Sequence, residues 1–512
     1  MTPMNCIVND MVGENVDLIE SIQLNKQSDQ PLYLQLYGKL QKLIENKQLH
    51  ADYKLPPIRK LAEQLGVNSI TVVNAYKLLE QNNYVYSKVG SGTYVAELKA
   101  GIKMNAEELT DELQPEELKL MDQGQIRIGP NTINFASATP TPELFPVEDF
   151  KNVLNEVLER DKGFAFGYQE SQGFYPLRES IAVYLRDFGS SIDPGDIQII
   201  SGAQQGIDIL AKALLNFGDY LVVESPTYTG AIAAFKSRGA QIIEVPIEQD
   251  GINIDLLEDK LKKHHPRFIY VMPHFQNPTG YSYSYVKKRV LLELANRYDT
   301  LIIEDDYLSE LDYSGQELAP LKALDEQNRV IYIKSFSKIF MPGLRLAFLS
   351  VPQTIYGEVL AAKHTSDIST SGLIQRAFDL YLRKGIWQKH IMYMREIYQE
   401  RYNAMAQALQ SYLPREIEFY LPGGGLTFWL ALPQGCSAQE LYLECARRDV
   451  LFVPGSVFYP TSRSSKYFRL SFAAVYPEAI EDGIRIIGKA AEKLLGINNT
   501  KAEGAKGFAP LL

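Results

Sequence analysis

Five short apolar runs between residues 197 and 335, separated by helical patterns, constrain this chain more than anything else in it. They are IQIIS (197–201), YLVVES (220–225), RFIYVMP (267–273), TLIIEDD (300–306) and RVIYIKS (329–335). Apolar runs of this length without polar alternation read as strands buried on both faces. Strands that alternate with helices build βα units and a mainly parallel sheet. An α/β domain is therefore expected over 131–495. After about residue 395 the pattern turns to GGGLTFWLAL (423–432) and KYFRLSFA (466–473), with helices between. That predicts a smaller α+β subdomain over 395–495.

The chain has 512 residues, too many for one core, and the sheet pattern leaves its front unexplained. Residues 1–28 are polar and patternless and read as a flexible arm. Residues 29–97 form a compact block. Residues 98–130 are charged and aromatic-free and read as a linker with some helix around 106–121, and 496–512 read as a tail. The net charge of −10 argues against a generic polyanion binder, so any nucleic-acid surface must be local. Over 29–97 there are eight Lys/Arg against six Asp/Glu, a net of +2, which leaves −12 on the rest. No apolar run reaches the roughly 18 residues of a membrane span, and the N-terminus lacks the basic-then-apolar order of a signal peptide. Cys6, Cys436 and Cys445 stand at no metal-ligand spacing, the six histidines show no zinc pattern, and the expected location is cytoplasmic.

In the front block, Leu32, Leu36, Leu40, Leu43 and Ile44 recur at helical spacing. A second helix starts after Pro56–Pro57 and stops at Gly66, and Asn68 or Ser69 caps a third that runs to about Gln81. Two short helices across a tight turn have the form of a helix-turn-helix. YVYSKVGSGTYVAE then reads as two strands with a Gly-Ser-Gly tip. With LPPIRKLAEQLGV, TVVNAYKLLE and GSGTYV, the block resembles the GntR-type winged-helix regulators. The resemblance implies that Arg59 reaches a phosphate or a base edge. It puts Asn68, Ser69, Ile70 and Thr71 at the reading end of the recognition helix, and Lys88 beside the backbone or minor groove. Ser69 stands where that family often has arginine, so the usual bidentate contact to guanine is missing and the operator is expected to differ.

Lys338 follows the strand RVIYIKS, at the strand end where open α/β sheets bind ligands. An amine there can condense with an aldehyde. Ser335 and Arg345 flank it and suit a phosphate. IIEDDY supplies a carboxylate for a pyridine nitrogen and a phenol two residues on. NPTG (277–280) offers an amide, SGAQQGID (201–208) a helix start with free N–H groups, and ESPTYTG (224–230) an aromatic for stacking. These pieces, in this order, resemble the fold-type I aminotransferases over about 131–495. The resemblance implies pyridoxal 5′-phosphate with Lys338 as its Schiff-base lysine and Asp305 on the ring nitrogen. Tyr307 and Asn277 would contact O3′, and Tyr228 would stack on the ring. Ala203, Gln204, Ser335 and Arg345 would hold the phosphate, and Tyr168 would reach the phosphate of the partner subunit. Arg469 in FRLSF matches the arginine that binds a substrate α-carboxylate. No metal is implied.

As a whole the chain resembles the MocR subfamily of GntR regulators, in which an aminotransferase-like body follows the DNA-binding head. The resemblance implies a regulator of transcription whose partners are operator DNA and an amino compound, or pyridoxal phosphate itself. It also implies a homodimer, with a domain-swapped head-to-tail arrangement as one form. An active aminotransferase with an autoregulatory head is the alternative. Gly230 stands where some relatives carry an arginine, and Arg238 is expected to face solvent. One carboxylate site is therefore expected, with GLTFWL and VFYP supplying an apolar surround.

Overall fold

The computed structural model describes residues 32–46, 48–81, 84–88, 92–96, 129, 131–315, 319–461 and 464–497, together with Ile19, Ile22, Leu24 and Asn25. They fall into two compact units, each described by itself. The linker with its expected helix at 106–121 and the tail beyond residue 497 lie outside the described residues.

The head has helices α1 (Leu32–Glu45), α2 (Ile58–Gln64) and α3 (Ser69–Gln81), then strands β1 (Val85–Lys88) and β2 (Gly92–Val95). Pro57 precedes α2, where its missing N–H costs nothing. The strands pair antiparallel, with Lys88 opposite Gly92. Leu36, Leu40, Leu61, Val72 and Leu79 close a small core with Val85 and Val95. Although residues 1–28 read as an arm, Ile19 is buried in that core, and Ile22 and Leu24 pack against it.

The body opens with β3 (Ile133–Asn134), α4 (Val147–Asp161) and α5 (Tyr175–Arg186). The alternating section follows as β4 (Ile197–Ile200), α6 (Ala203–Leu214), β5 (Tyr220–Ser225), α7 (Thr229–Ser237), β6 (Gln241–Glu248) and β7 (Gly251–Ile252). It continues with α8 (Ile254–His264), β8 (Phe268–Val271), α9 (Tyr285–Arg297), β9 (Leu301–Asp306), α10 (Leu321–Leu324), β10 (Val330–Ser335) and β11 (Ala347–Ser350). These strands form one eight-stranded sheet in the order β4-β11-β10-β9-β8-β5-β6-β7. It is parallel from β10 through β6, and β11 runs antiparallel between β10 and β4. Strands β4, β8 and β10 are buried along their whole length, as their unbroken apolar runs predict.

Helices α11 (Tyr356–Asp367), α12 (Gly372–Arg383) and the long α13 (Ile386–Tyr412) lead to the small subdomain. It contains β12 (Glu418–Phe419), β13 (Thr427–Ala431), α14 (Ala438–Ala446), β14 (Val450–Leu451), β15 (Val453–Pro454), β16 (Tyr467–Ser471) and α15 (Pro477–Leu494). Its antiparallel sheet runs β12-β13-β16-β15, while β3 pairs with β14 in a separate parallel pair. Residues 133–134, far away in sequence, thus join the subdomain that the sequence pattern begins only near 395.

Candidate functional site

The C-terminal ends of the parallel strands converge on a cavity of about 570 Å³. Its lining includes Ala203, Gln204, Tyr228, Asn277, Asp305, Tyr307, Ser335, Lys338, Arg345 and Arg469. Every body residue expected at the site is therefore there except Tyr168. That tyrosine is 87% exposed, a short way beyond the equally uncovered Phe164 (82%).

Lys338 lies in the turn after β10, and its Nζ sits 3.4 Å from Thr139 Oγ1. Burial, reinforced by the like charges of Arg469 and Arg345, pulls its pKa down to about 8. Such an amine is a far better nucleophile at neutral pH than a surface lysine. Asp305 is the last but one residue of β9 and is 3% exposed. Its Oδ2 accepts from Tyr270 Oη at 2.6 Å, while its Oδ1 is buried without a partner. Burial lifts this carboxyl to about 6, against the pull of the Tyr270 hydrogen bond. A protonated ring nitrogen would complete the acceptor and hold it ionised.

The anion end is built from backbone. Gly202 precedes α6 with φ of +87°, and a Cβ there would come within 2.3 Å of Arg345 Nη2. Glycine is thus required both by the turn and by the close approach of the guanidinium. Arg345 itself takes a left-handed conformation (φ +51°) after the turn Pro342–Leu344, and its Nη2 donates to Ser201 O at 3.1 Å. The N–H groups that open α6, the Ser335 hydroxyl and this arginine lie together at this end of the cavity, an arrangement suited to an anion.

Across the cavity, Arg469 on β16 is 3% exposed. It donates from Nη2 to Ala136 O at 2.6 Å and from Nη1 to Asn277 Oδ1 at 2.9 Å, and its Cζ lies 5.2 Å from the Phe458 ring centroid. Burial lowers it to about 10. Tyr307 donates its phenol proton to Phe275 O at 2.6 Å, so in this geometry the proton expected for O3′ is committed to backbone. Tyr228 caps the start of α7, with burial pushing its phenol up to about 12.

Three site residues escaped the sequence. Tyr270 is one, placed beside Asp305 by the pairing of β8 with β9. Thr139 and Ser337 are the others, both on the cavity wall. Of the expected aromatic surround, Phe458 lines the cavity. Phe428 instead stacks on Tyr402, and Trp429 stacks on Tyr467.

In the head, Asn68 and Ser69 are exposed and Thr71 is half-buried at the start of α3. The side chains of Arg59, Ile70 and Lys88 lie outside the described residues.

Residues 130–487 match the family described as aminotransferase class I and II, and residues 32–95 match the bacterial regulatory proteins of the gntR family. The uncharacterized HTH-type transcriptional regulator YdcR of Escherichia coli (strain K12) is 30% identical over 90% of this chain and 99% of its own. The probable rhizopine catabolism regulatory protein MocR of Rhizobium meliloti is 29% identical over 91% and 95%. Among solved structures, the kynurenine aminotransferase of Pyrococcus horikoshii, in complex with PMP, superposes with a TM-score of 0.70. It is 33% identical and covers 74% of this chain and 94% of that one.

Proposed function

We infer, for a chain that belongs to the class I and II aminotransferases and carries the gntR-family head of the MocR-type regulators, that it binds operator DNA under the control of an amino compound read through pyridoxal phosphate. The observation that carries this reading is the convergence, in one cavity, of a depressed lysine, an orphaned buried carboxylate oxygen and an arginine at a helix N-terminus. These residues fit the cofactor. When bound, it supplies an aldehyde and an electron-withdrawing ring.

Lys338 would anchor the aldehyde, Asp305 Oδ1 would accept from the ring nitrogen, and Tyr228 would cover a ring face. Ser335, Arg345 and the N–H groups of Ala203 and Gln204 would hold the phosphate. Asn277 and Tyr307 border the ring oxygen. Arg469 would take the carboxylate of an amino ligand whose amine competes with Lys338. Lys338, once displaced, would take up the proton that the ligand's ammonium gives up, beside two guanidinium groups. That change of charge is the differential interaction a switch between two DNA-binding states needs. The exposed Phe164, Phe166 and Tyr168 support a homodimer, with Tyr168 serving the partner's phosphate.

The test is operator binding by the cofactor-loaded chain, with and without amino acids. A change of affinity with an amino acid supports the reading. A change with cofactor occupancy alone would make pyridoxal phosphate the effector. Steady-state turnover with a keto acid, and no effect on DNA binding, would point to an enzyme instead.

A further inference from the structure

We propose that Tyr270 is a positioning residue: its phenol, fixed on one oxygen of Asp305, keeps that carboxyl ionised and so leaves the proton shared by the other oxygen and the cofactor on the ring nitrogen. This rests on the cofactor reading above and deepens it.

Four buried acids of the body each accept from a phenol. Tyr283 donates to Glu224 Oε1 at 2.8 Å, Tyr270 to Asp305 Oδ2 at 2.6 Å, Tyr332 to Asp306 Oδ2 at 2.5 Å, and Tyr184 to Glu310. In three of them the second oxygen is also taken. Gln276 Nε2 meets Glu224 Oε2 at 3.1 Å, and Lys334 meets both Asp306 Oδ1 and Glu310 Oε2. Asp305 differs. It lines the cavity, and its buried Oδ1 has no partner among the described residues. The phenol on Oδ2 therefore decides which oxygen is offered to a ligand.

Tyr270 is itself held in place. It is wholly buried on β8, stands in register with Ile303 of β9, and meets the Phe235 ring edge-on at 5.6 Å. Glu224, the other acid that acts on it, is already served by Tyr283, Gln276 and the Met272 N–H. Burial and the charge of Asp305 keep the phenol well above its ordinary range, so it remains a donor at neutral pH. A proton between Asp305 Oδ1 and a ring nitrogen goes to the stronger base. Burial, aided by the charge of Asp306, raises the carboxyl to about 6, although the Tyr270 hydrogen bond and then Lys334 pull the other way. Glu224 from β5 and the phenols of Tyr228 and Tyr307 also face this group. Without the Tyr270 hydroxyl, the carboxyl would be more basic still and would keep the proton. The ring would then be neutral and a weaker electron sink.

The test loads the full-length chain with pyridoxal phosphate carrying nitrogen-15 in its ring. It reads the nitrogen shift by NMR and the dissociation constant of the cofactor by absorbance titration. At neutral pH the unaltered chain should show the shift of a protonated ring. Tyr270→Phe should move it toward the neutral value and weaken cofactor binding about tenfold or more, the worth of a hydrogen bond to a charged group. In an Asp305→Asn background the same replacement should change affinity less than about twofold, because the carboxylate through which the phenol acts is gone. Equal losses in the two backgrounds, weaker binding with an unmoved nitrogen shift, or no change at all would overturn the inference alone. If Tyr270→Phe does not fold, the unaltered chain and Asp305→Asn decide. A ring protonated in the first and neutral in the second supports the inference, and a ring neutral in the first overturns it. A chain that takes up no cofactor through Lys338 would defeat the reading beneath it.

Discussion

An amine attacks an aldehyde only when unprotonated, and an ordinary lysine is mostly protonated below pH 10. Lys338 is held near 8 by burial and by the charges of Arg469 and Arg345. Capture of pyridoxal phosphate by the cofactor-free chain should therefore speed up with pH as far as about 8 and level off above it. Stopped-flow absorbance at a series of pH values checks this; a rate still climbing toward pH 10 would contradict it. Arg469→Ala removes one of the lowering charges and should move the break upward. The same depression costs stability. Between pH 8 and 10.5 the unfolded chain binds the extra proton, so the empty protein gains stability as pH rises through that window, by up to about 3 kcal/mol from this group. Lys338→Ala should lose both effects and the covalent attachment that borohydride fixes. A variant still fixing cofactor would mean that another lysine is the anchor. At this scale much of the site was legible, because Lys338, Asp305 and Arg345 lie close to strand ends that the apolar runs mark. Tyr270 was not, because its closeness to Asp305 depends on strand register. Nor was Thr139, carried to Lys338 by a segment 199 residues away.

At the scale of elements, β9 and β10 split their side chains between two jobs. Neighbouring residues of a strand face opposite sides. Asp305 faces the cavity, so Asp306 faces away, and the register sets it opposite Lys334. Lys334, 1% exposed, bonds Asp306 Oδ1 at 3.1 Å, Ser309 Oγ at 2.8 Å and Glu310 Oε2 at 2.6 Å. Tyr332 donates to Asp306 Oδ2 and Tyr184 to Glu310. Burial works against the charge of Asp306, but Lys334 outweighs it and holds that carboxyl well below the usual range. This network fastens the strand that carries Asp305 to the strand that leads into Lys338. Lys334→Met should cost about 3–5 kcal/mol, because it strands two buried acids. Removing the exposed Lys493, paired with Glu444, should leave the melting temperature nearly unchanged. Thermal unfolding of the two variants measures the contrast, and equal losses would mean that the buried network contributes no more than a surface pair. The strand ends were readable to within two residues, since a strand buried on both faces needs an unbroken apolar run. The lysine inside IYIKS carried no such signal. Only its pairing across to Asp306 shows why a cation is tolerated there.

For the whole molecule, the question is why a DNA-binding head is attached to a body of this kind. The alternating pattern and the helix-turn-helix made both units legible from sequence. The part of the head core supplied by Ile19 was not, because Leu18, Ile19, Ile22 and Leu24 make an apolar set too short to announce a helix or strand by its periodicity. One winged helix touches few phosphates, and its +2 net charge is small. A body that dimerises through the exposed face around Phe164 and Phe166 would bring two heads to one operator, so that the second binds at high effective concentration. Each phosphate neutralised adds about −0.9 to the slope of log K against log salt concentration. Doubling the heads should therefore double that slope as well as raise affinity. A fragment of residues 1–97, which keeps Ile19, should bind the same operator far more weakly than the full chain and with about half its salt slope. Phe166→Glu in the full chain should move both values toward those of the fragment and give a monomer on size exclusion. Fluorescence anisotropy from about 50 to 300 mM salt reads both quantities. If fragment and full chain share one slope and one affinity, the body adds no second set of phosphate contacts, and its influence on DNA would have to act through a single head.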